Sequence, residues 1–229
     1  MSTIVFIHGA GCTPDVWRNQ REAFPDAFVP ALPGHGTPGT PRSISEFADS
    51  IERELRERGL RDVVLAGSSM GGAIALELAL RKHPAVRGVV LLGSSAKLRV
   101  APTIFAAMET DFEQAARTLA GLFFAEPSSE RIGGAVEQML RVGAAQTRRD
   151  FEACNNFDVL DRLPEIDVPL LALSGEFDRM VPPKFSQAAA DRVPGGEARI
   201  VPGAGHLLFV EHPAETNDAL RAFVDRVDS

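Results

Sequence analysis

The sequence predicts an α/β fold in which a parallel sheet is flanked by helices on both faces. Short apolar runs that resemble strands alternate with helical patterns, and no hairpin turn joins one strand to the next. The alternation stops after Ser94 and resumes near residue 168, with only helical patterns between. We therefore expect a core formed by residues 1–96 and 163–229, interrupted by a helical cap insertion at residues 97–162.

Length and composition are those of a globular domain. The 229 residues suffice for one large core, and 45% hydrophobic with 24% charged residues is an ordinary balance. The net charge of -7 disfavours nucleic acid and anionic membranes as partners, because both bind basic surfaces. Two cysteines are too few for a disulfide framework, and we expect no metal or cofactor. Met1 to Gly9 contains neither a basic leader nor a long apolar stretch, so we expect a cytoplasmic protein without a membrane partner.

The elements before the interruption follow in order. The apolar run at residues 3–7 is typical of a strand buried on both faces, and Pro14 begins a helix after the glycine-rich loop. Residues 27–32 form a second predicted strand. Ser43 with Glu46 predicts a capping box for the next helix, which Gly59 ends. A strand, a helix and a further strand are then predicted at residues 63–65, 72–83 and 88–92.

The predicted cap insertion is helical throughout. Pro102 begins a helix whose apolar stripe continues to Phe123, and Ser129 caps another. Residues 147–150 resemble a third capping box. The Phe and Met side chains of this insertion either pack onto the core or wall an apolar pocket, and both roles are compatible with one helix. After it, the pattern predicts strands at 168–173 and 198–201, and helices ending near Arg192 and Val227.

One stretch, DVVLAGSSMGG at residues 62–72, places a serine between a strand and a helix. Ser69 is the central residue of a G-x-S-x-G pattern in the context that makes it a nucleophile elbow. The glycines let the chain turn tightly, since a Cβ there would collide with the neighbouring element. The helix that follows directs backbone N–H groups to the same place. We therefore predict that Ser69 is a nucleophile.

Two later strand ends carry the other groups that a serine nucleophile needs. Asp178 follows the predicted strand at 168–173, and His206 follows the last one. The carboxyl ends of parallel strands meet at one edge of a sheet, where active sites form. A neutral imidazole accepts the serine proton and returns it to the leaving group, while a carboxylate orients the ring. We predict Ser69, His206 and Asp178 as a catalytic triad.

Other residues compete for these roles. The competing acids, Asp158 and Asp161, lie in an irregular or helical stretch rather than just past a strand. The competing bases are His8, His35, His83 and His212. The loop beside His8 resembles an oxyanion loop, and the other three lie in a turn or at helix ends. Asp178 also has a plain alternative as a turn residue.

The developing oxyanion requires preorganised N–H donors. In a nucleophile elbow the residue after the serine supplies one backbone N–H, which is that of Met70 here. The second comes from the His-Gly loop after the first strand. We predict Ala10 as that donor, with Gly11 as the alternative.

Five motifs, HGAG, LPGHG, GSSMGG, GEFDRMVPP and GAGHLLFVEHP, resemble the loops of the α/β-hydrolase family in the order in which that family has them. The resemblance covers nearly the whole chain and implies the fold and the triad. Because the chain begins at the strand leading into the oxyanion loop, we expect the two N-terminal strands of that family to be missing. About six parallel strands are therefore expected.

The resemblance also reduces the number of reactions to consider. Ser69 argues against dehalogenases and epoxide hydrolases, which have Asp at that position. Hydroxynitrile lyases differ at Gly9 and Leu207, where they have Thr and Lys, and ring-cleavage C–C hydrolases usually have Asn in place of Ser68. C–C hydrolases, lactonases, thioesterases and cofactor-free haloperoxidases remain open, as does a ligand receptor without turnover. We expect a hydrolase that cleaves carboxylic esters of small to medium apolar substrates through an acyl-enzyme. Arg148 and Arg149 are either solvated or contacts for an anionic substrate.

Overall fold

A computed structural model describes residues 1–229 and contains one five-stranded parallel sheet, with the strands in the order β1-β2-β3-β4-β5. The strands are β1 (Thr3–Ile7), β2 (Val63–Ser68), β3 (Val86–Leu92), β4 (Leu170–Gly175) and β5 (Glu197–Val201). Every residue of β2 and β4 is buried, because helices cover both faces of the sheet. The predicted α/β class with a parallel sheet is confirmed.

The helices, in chain order, lie between and after these strands. They are α1 (Arg18–Ala23), α2 (Ile44–Glu57), α3 (Met70–Leu80), α4 (Pro102–Thr110), α5 (Phe112–Phe123), α6 (Ser129–Val142), α7 (Ala144–Asn155), α8 (Pro183–Ala190), α9 (Leu208–Glu211) and α10 (Pro213–Val227). Two 3-10 helices, Pro14–Trp17 and Leu160–Glu165, precede α1 and β4. Helices α4 to α7 all lie between β3 and β4, and we call them the helical segment. No helix is both long enough and apolar enough to cross a bilayer.

The expected count of six strands is wrong, because residues 27–32 do not form a strand. Phe28 alone pairs with the sheet edge: its N–H donates to Ile4 O at 2.9 Å, and its carbonyl accepts from Phe6 N–H at 2.9 Å. Pro30 and Pro33 follow, and proline has no N–H with which to extend the ladder. The segment therefore touches β1 at one bridge.

The helical segment is divided more finely than its apolar stripe predicts. The helix that begins at Pro102 ends at Thr110, because Asp111 takes an extended conformation and its carboxylate caps α5 by accepting from Gln114 N–H at 3.0 Å. The cap of α6 is Ser128 rather than Ser129; its hydroxyl accepts from Arg131 N–H at 3.2 Å.

Of the two predicted capping boxes, the first is present only as its Ser43 cap, because Glu46 Oε2 accepts from Arg42 N–H at 2.9 Å rather than from Ser43 N–H, and the second is wrong. Ser43 Oγ accepts from Glu46 N–H at 3.2 Å, and α2 is followed by Gly59 at φ +63°. Residues 147–150 do not cap a helix, because they lie inside α7, where Asp150 is fully buried.

A single hydrophobic cluster joins the sheet, the flanking helices and the helical segment, and comprises 66 buried residues. The helical segment contributes buried side chains such as Phe123, Met139 and Phe151 to it. The carboxyl ends of β2, β4 and β5 lie at one edge of the sheet, and the chain leaves that edge at Ser69, Asp178 and His206.

Candidate active site

Ser69 lies in the sharp turn between β2 and α3, with φ 51° and ψ -115°. A positive φ is rare for a residue with a Cβ, and the surrounding contacts hold this conformation in place. Its N–H donates to Leu92 O at 3.0 Å, and its carbonyl accepts from Ser94 Oγ at 2.7 Å. Ser69 is half-buried and lines a cavity. The elbow geometry predicted for this residue is therefore present.

The histidine and aspartate are brought together by the loops after β4 and β5. His206 Nδ1 lies 2.9 Å from Asp178 Oδ2, and both side chains are buried. Asp178 Oδ1 accepts hydrogen bonds from the N–H groups of Met180 and Val181, both at 2.8 Å. A carboxylate fixed in this way accepts from Nδ1–H, which leaves Nε2 of a neutral ring free to accept a proton. His206 lines the same cavity as Ser69.

The loop after β1 lies directly on the elbow. A Cβ built on Gly9 would lie 3.3 Å from Ser69 Cβ and 3.2 Å from the carbonyl oxygen of Ser68. The N–H of Ala10 has no acceptor in the protein, whereas Gly11 N–H donates to Asp150 Oδ2 at 2.9 Å. Ala10 also lines the cavity. Of the two candidates for the second oxyanion donor, only Ala10 has a free N–H.

Met70 is the first residue of α3 and is fully buried. Its N–H is among the four at the start of a helix that have no intrahelical acceptor. The helix dipole adds a partial positive charge at this end. Anionic oxygen would therefore be stabilised beside Ser69.

The cavity has a volume of about 360 Å³, and 13 of its 21 lining residues are hydrophobic, so its walls are mainly apolar. The helical segment contributes Phe123, Phe151 and Cys154 to these walls. Cys12 lines it as well, and burial raises the pKa of its thiol to about 12. Burial also raises the pKa of Cys154. Both thiols remain protonated at neutral pH and act as apolar wall.

The competing histidines have other partners. His8 is fully buried; its Nε2 accepts from Leu32 N–H at 3.3 Å, and its Nδ1 lies 3.1 Å from Gly9 O. Burial and the neighbouring His35 lower its pKa to about 3, so it stays neutral. His83 lies just beyond α3, and its Nδ1 accepts from Ala85 N–H at 3.3 Å. None of these histidines, nor His212, lines the cavity.

The competing acids do not line the cavity, and neither forms a hydrogen bond with His206. Asp158 is exposed and forms an ion pair with Lys97, which lowers its pKa. Asp161 is exposed in the 3-10 helix before β4. The arginines considered for an anionic substrate do not line the cavity: Arg148 pairs with Glu109 and Glu152, and Arg149 donates to Gln146.

A second buried His–Asp pair was not anticipated from the sequence. His35 Nε2 lies 2.9 Å from Asp150 Oδ2, and both side chains are completely inaccessible to solvent. His35 comes from the loop after Phe28 and Asp150 from α7, so the two are 115 residues apart. No local sequence pattern predicts such a pair, because the two residues come into contact only when the helical segment packs on the core.

Comparison with known proteins places this geometry in a family. A sequence model described as the alpha/beta hydrolase family matches residues 4–219. The pimeloyl-[acyl-carrier protein] methyl ester esterase of Aromatoleum aromaticum is 27% identical, over 93% of this chain and 94% of that protein. The esterase of the same name from Edwardsiella ictaluri is also 27% identical, over 97% of this chain and 93% of its own.

Solved structures agree with the sequence comparison. A thermophilic esterase superposes with a TM-score of 0.89 at 28% identity, over 99% of this chain and 91% of that one. An N-acyl homoserine lactone degrading enzyme superposes with a TM-score of 0.84, also at 28% identity, over 97% of this chain and 93% of that one. The similarity therefore includes both the core and the helical segment.

Proposed function

The chain belongs to the alpha/beta hydrolase family, and from that premise we propose that it hydrolyses carboxylic esters of small to medium apolar substrates through an acyl-enzyme on Ser69. The observation that carries the proposal is one cavity lined by both Ser69, in its strained elbow, and His206, whose ring is held by Asp178. The esterases named above, similar over more than nine-tenths of the chain, support the reaction type.

In the first half of the reaction, Ser69 Oγ attacks the ester carbonyl carbon while Nε2 of His206 accepts its proton. The imidazolium that forms is stabilised by Asp178, whose carboxylate is already held by two backbone N–H groups. The ester C–O bond then breaks, and the alcohol leaves with the proton from Nε2. The acyl group remains on Ser69 as an ester.

The oxyanion of each tetrahedral intermediate is stabilised by the N–H groups of Ala10 and Met70. Both donors are fixed before substrate binds, which is what makes such a site effective. In the second half of the reaction, water gives a proton to His206 and attacks the acyl carbon, and Ser69 leaves as the alcohol.

The substrate class follows from the cavity. About 360 Å³ lies near the lower end of the range of roughly 300–1,000 Å³ for small-molecule sites. Its walls of Phe123, Phe151 and Val181 favour an apolar acyl or alkyl group. We propose that residues 97–162, which contain the helical segment, form a cap that covers part of this chamber and limits the access of water to it.

Hydrolysis of p-nitrophenyl esters from acetate to decanoate tests the proposal, with Ser69→Ala measured in parallel. Wild type should show a maximum at one chain length, set by the cavity. Ser69→Ala should lower kcat by at least about 10⁴-fold with an unchanged melting temperature, because no other group can form the acyl-enzyme. Comparable turnover by the folded variant would exclude Ser69 as the nucleophile. Absence of Ser69-dependent turnover on every ester would exclude the esterase.

A further inference from the structure

The charged residues that line the cavity all have the same sign. The chain has 31 acidic and 24 basic residues, yet no Asp or Glu lines the cavity, whereas Lys97, Arg99 and Arg192 do. Asp178 and Asp158 lie behind the wall, bonded to His206 and Lys97, so the charged groups on the wall itself are cations, which favour an anion.

Two of these cations have no carboxylate partner. Lys97 forms an ion pair with Asp158, but Arg99 and Arg192 form none. Arg192 donates one hydrogen bond to Ala188 O at 2.8 Å, which satisfies one of the five N–H groups of its guanidinium. Both arginines are exposed, so they mark the side of the cavity that is open to solvent.

These arginines come from different parts of the fold. Arg99 follows β3, at the start of the stretch that leads to the helical segment, and Arg192 follows α8. The cavity also has apolar walls, including Leu98, Val100 and Phe185. A ligand that satisfies both features has an apolar body and one anionic end. Guanidinium groups bind carboxylates in particular, because the two planar groups match in geometry.

We propose that Arg99 and Arg192 form a carboxylate-binding rim, and that the substrates are monoanionic esters whose carboxylate lies at the far end of a short apolar chain. This inference rests on the proposed esterase function and assigns its substrate class. Half-esters of dicarboxylic acids have this form: the ester reaches Ser69 while the free carboxylate stays at the solvent-exposed rim. The cost of desolvating the charge is thereby avoided.

The test compares two substrates that differ at one end only, methyl hexanoate and monomethyl adipate, in a pH-stat. Wild type should hydrolyse the adipate with about tenfold higher kcat/KM, mainly through KM, since the rim contacts are remote from the reacting carbon. In the double variant that carries both Arg99→Gln and Arg192→Gln, the ratio of the two kcat/KM values should be close to one. The preference should also shrink in about 1 M NaCl, because exposed charges are screened.

Arg53→Gln is the matched control. Arg53 is an exposed arginine of α2 without a carboxylate partner and lies outside the cavity, so its loss should leave the ratio unchanged. Equal kcat/KM for the two esters in wild type, or a ratio that persists in the double variant, would overturn the rim while leaving the esterase intact. Failure of both esters, with no Ser69-dependent turnover of p-nitrophenyl esters either, would instead remove the proposed function.

A separate observation concerns the buried pair of His35 and Asp150. Asp150 accepts three hydrogen bonds: from Gly11 N–H at 2.9 Å, from His35 at 2.9 Å and from Gln146 Nε2 at 2.8 Å. Gly11 is the neighbour of Ala10, whose N–H is the proposed oxyanion donor. A carboxylate of the helical segment therefore holds the loop that carries this donor.

We infer that Asp150 is a positioning residue for the oxyanion loop. Its carboxylate accepts from the N–H of Gly11 and so fixes the peptide plane between Ala10 and Gly11. Gly11 itself has φ +63°. The loop has little freedom to compensate, because a Cβ on Gly11 would lie 2.9 Å from Met139 Cγ. His35 Nε2 lies against the same oxygen, Asp150 Oδ2, that accepts from Gly11, while Gln146 Nε2 donates to Asp150 Oδ1 on the other side. The His35 ring is itself held, because its Nδ1 lies 3.1 Å from Pro33 O.

The test separates transition-state from ground-state effects. Asp150→Ala should lower kcat by about 10- to 100-fold with KM nearly constant, since a misplaced oxyanion donor affects only the tetrahedral state. A trifluoromethyl ketone probes that state directly: Ser69 Oγ adds to its carbonyl carbon, the hydroxyl proton passes to His206, and the ketone oxygen becomes the oxyanion. Its inhibition constant should rise by the same factor as kcat falls.

Two further variants keep the inference testable if Asp150→Ala does not fold. Asp150→Asn keeps an acceptor in place for Gly11, whereas Asp150→Glu keeps the charge but moves the acceptor, so Asn should retain the higher kcat. Phe223→Leu, in the core beside Gly88, is the control that lowers the melting temperature without lowering kcat. Wild-type kcat in the folded Asp150 variants, or an equal loss in Phe223→Leu, would overturn the positioning role.

Discussion

At the scale of single residues, Gly93 sets how closely the proposed base and its orienting acid can approach the sheet. A Cβ built on Gly93 would lie 2.8 Å from His206 O, 3.0 Å from His206 Nδ1 and 3.1 Å from Asp178 Oδ2. Its φ of +54° is also unfavourable for a residue with a side chain. The hydrogen bond between His206 and Asp178 thus depends on an empty position at the end of β3.

Gly93→Ala should therefore reduce activity more than stability. The methyl group would push the His206 ring or the Asp178 carboxylate out of line, and a displacement of about 1 Å costs roughly 100-fold in rate. The left-handed backbone adds about 1–2 kcal/mol of destabilisation. Steady-state kinetics at saturating substrate and a thermal melt measure the two effects separately.

Gly59→Ala is the control for this substitution. Gly59 has φ +63°, and no atom lies within 4 Å of the position that a Cβ would occupy, so only the backbone penalty applies. It should lose a similar amount of stability and keep its kcat. Equal kcat values for the Gly93 and Gly59 variants would show that the packing at Gly93 has no catalytic consequence.

At the scale of elements, the packing of α3 on the sheet depends on glycine. A Cβ on Gly71 would lie 2.1 Å from Ile7 O and 2.8 Å from His8 O, which are backbone atoms that cannot move aside. A Cβ on Gly67 would lie 2.2 Å from Gly71 C. The elbow glycines therefore let α3 lie against β1 and β2, and this contact places Ser69 at the sheet edge.

Gly71→Ala should destabilise the protein by more than about 3 kcal/mol, because α3 would have to separate from β1. Gly134→Ala, inside α6, should instead raise the free energy of unfolding. Nothing lies within 4 Å of its Cβ position, and alanine in a helix is favoured over glycine by about 0.5–1 kcal/mol. Urea unfolding measures both changes. A Gly71 variant as stable as wild type would contradict the close packing of α3.

The elements also show what could be predicted from the sequence. Continuous apolar runs between turn residues identified all five strands, because buried parallel strands carry that pattern. The prediction of a sixth strand was wrong: residues 27–32 are apolar like a strand, but Pro30 within the run and Pro33 after it have no N–H with which to extend a ladder. The break at Asp111 was missed because the apolar stripe continues through it in phase.

The sequence predicts those residues of the candidate site that directly follow a strand. Ser69, Asp178 and His206 each follow a strand, so parallel topology alone brings their loops to one edge. The choice between Ala10 and Gly11 required the structure, because it depends on which N–H is already bonded to Asp150. Contacts between the helical segment and the core, such as that of Asp150 with Gly11, could not be predicted, because hydrophobic periodicity reports only on local structure.

At the scale of the whole molecule, the buried His8 makes the free energy of unfolding depend on pH. It is enclosed by β1 and the loop at Leu32, and its pKa is lowered to about 3 by burial and by His35. In the unfolded chain the same side chain titrates near 6.5. Between these two values the unfolded state binds one proton more than the folded state. The free energy of unfolding is therefore highest above about pH 6.5 and falls as the pH is lowered towards about 3.

His8→Gln should make the protein less sensitive to acid, although it also lowers stability at neutral pH. Each pH unit below about 6.5 costs wild type about 1.4 kcal/mol through His8, so about 2 kcal/mol is lost from this group between about pH 7.5 and pH 5. Glutamine does not titrate, and urea unfolding at the two pH values should show a loss smaller by that amount. Phe223→Leu, which lowers stability in the core without removing an ionisable group, should lose as much as wild type. Identical losses in wild type and His8→Gln would mean that His8 is not held neutral by the fold.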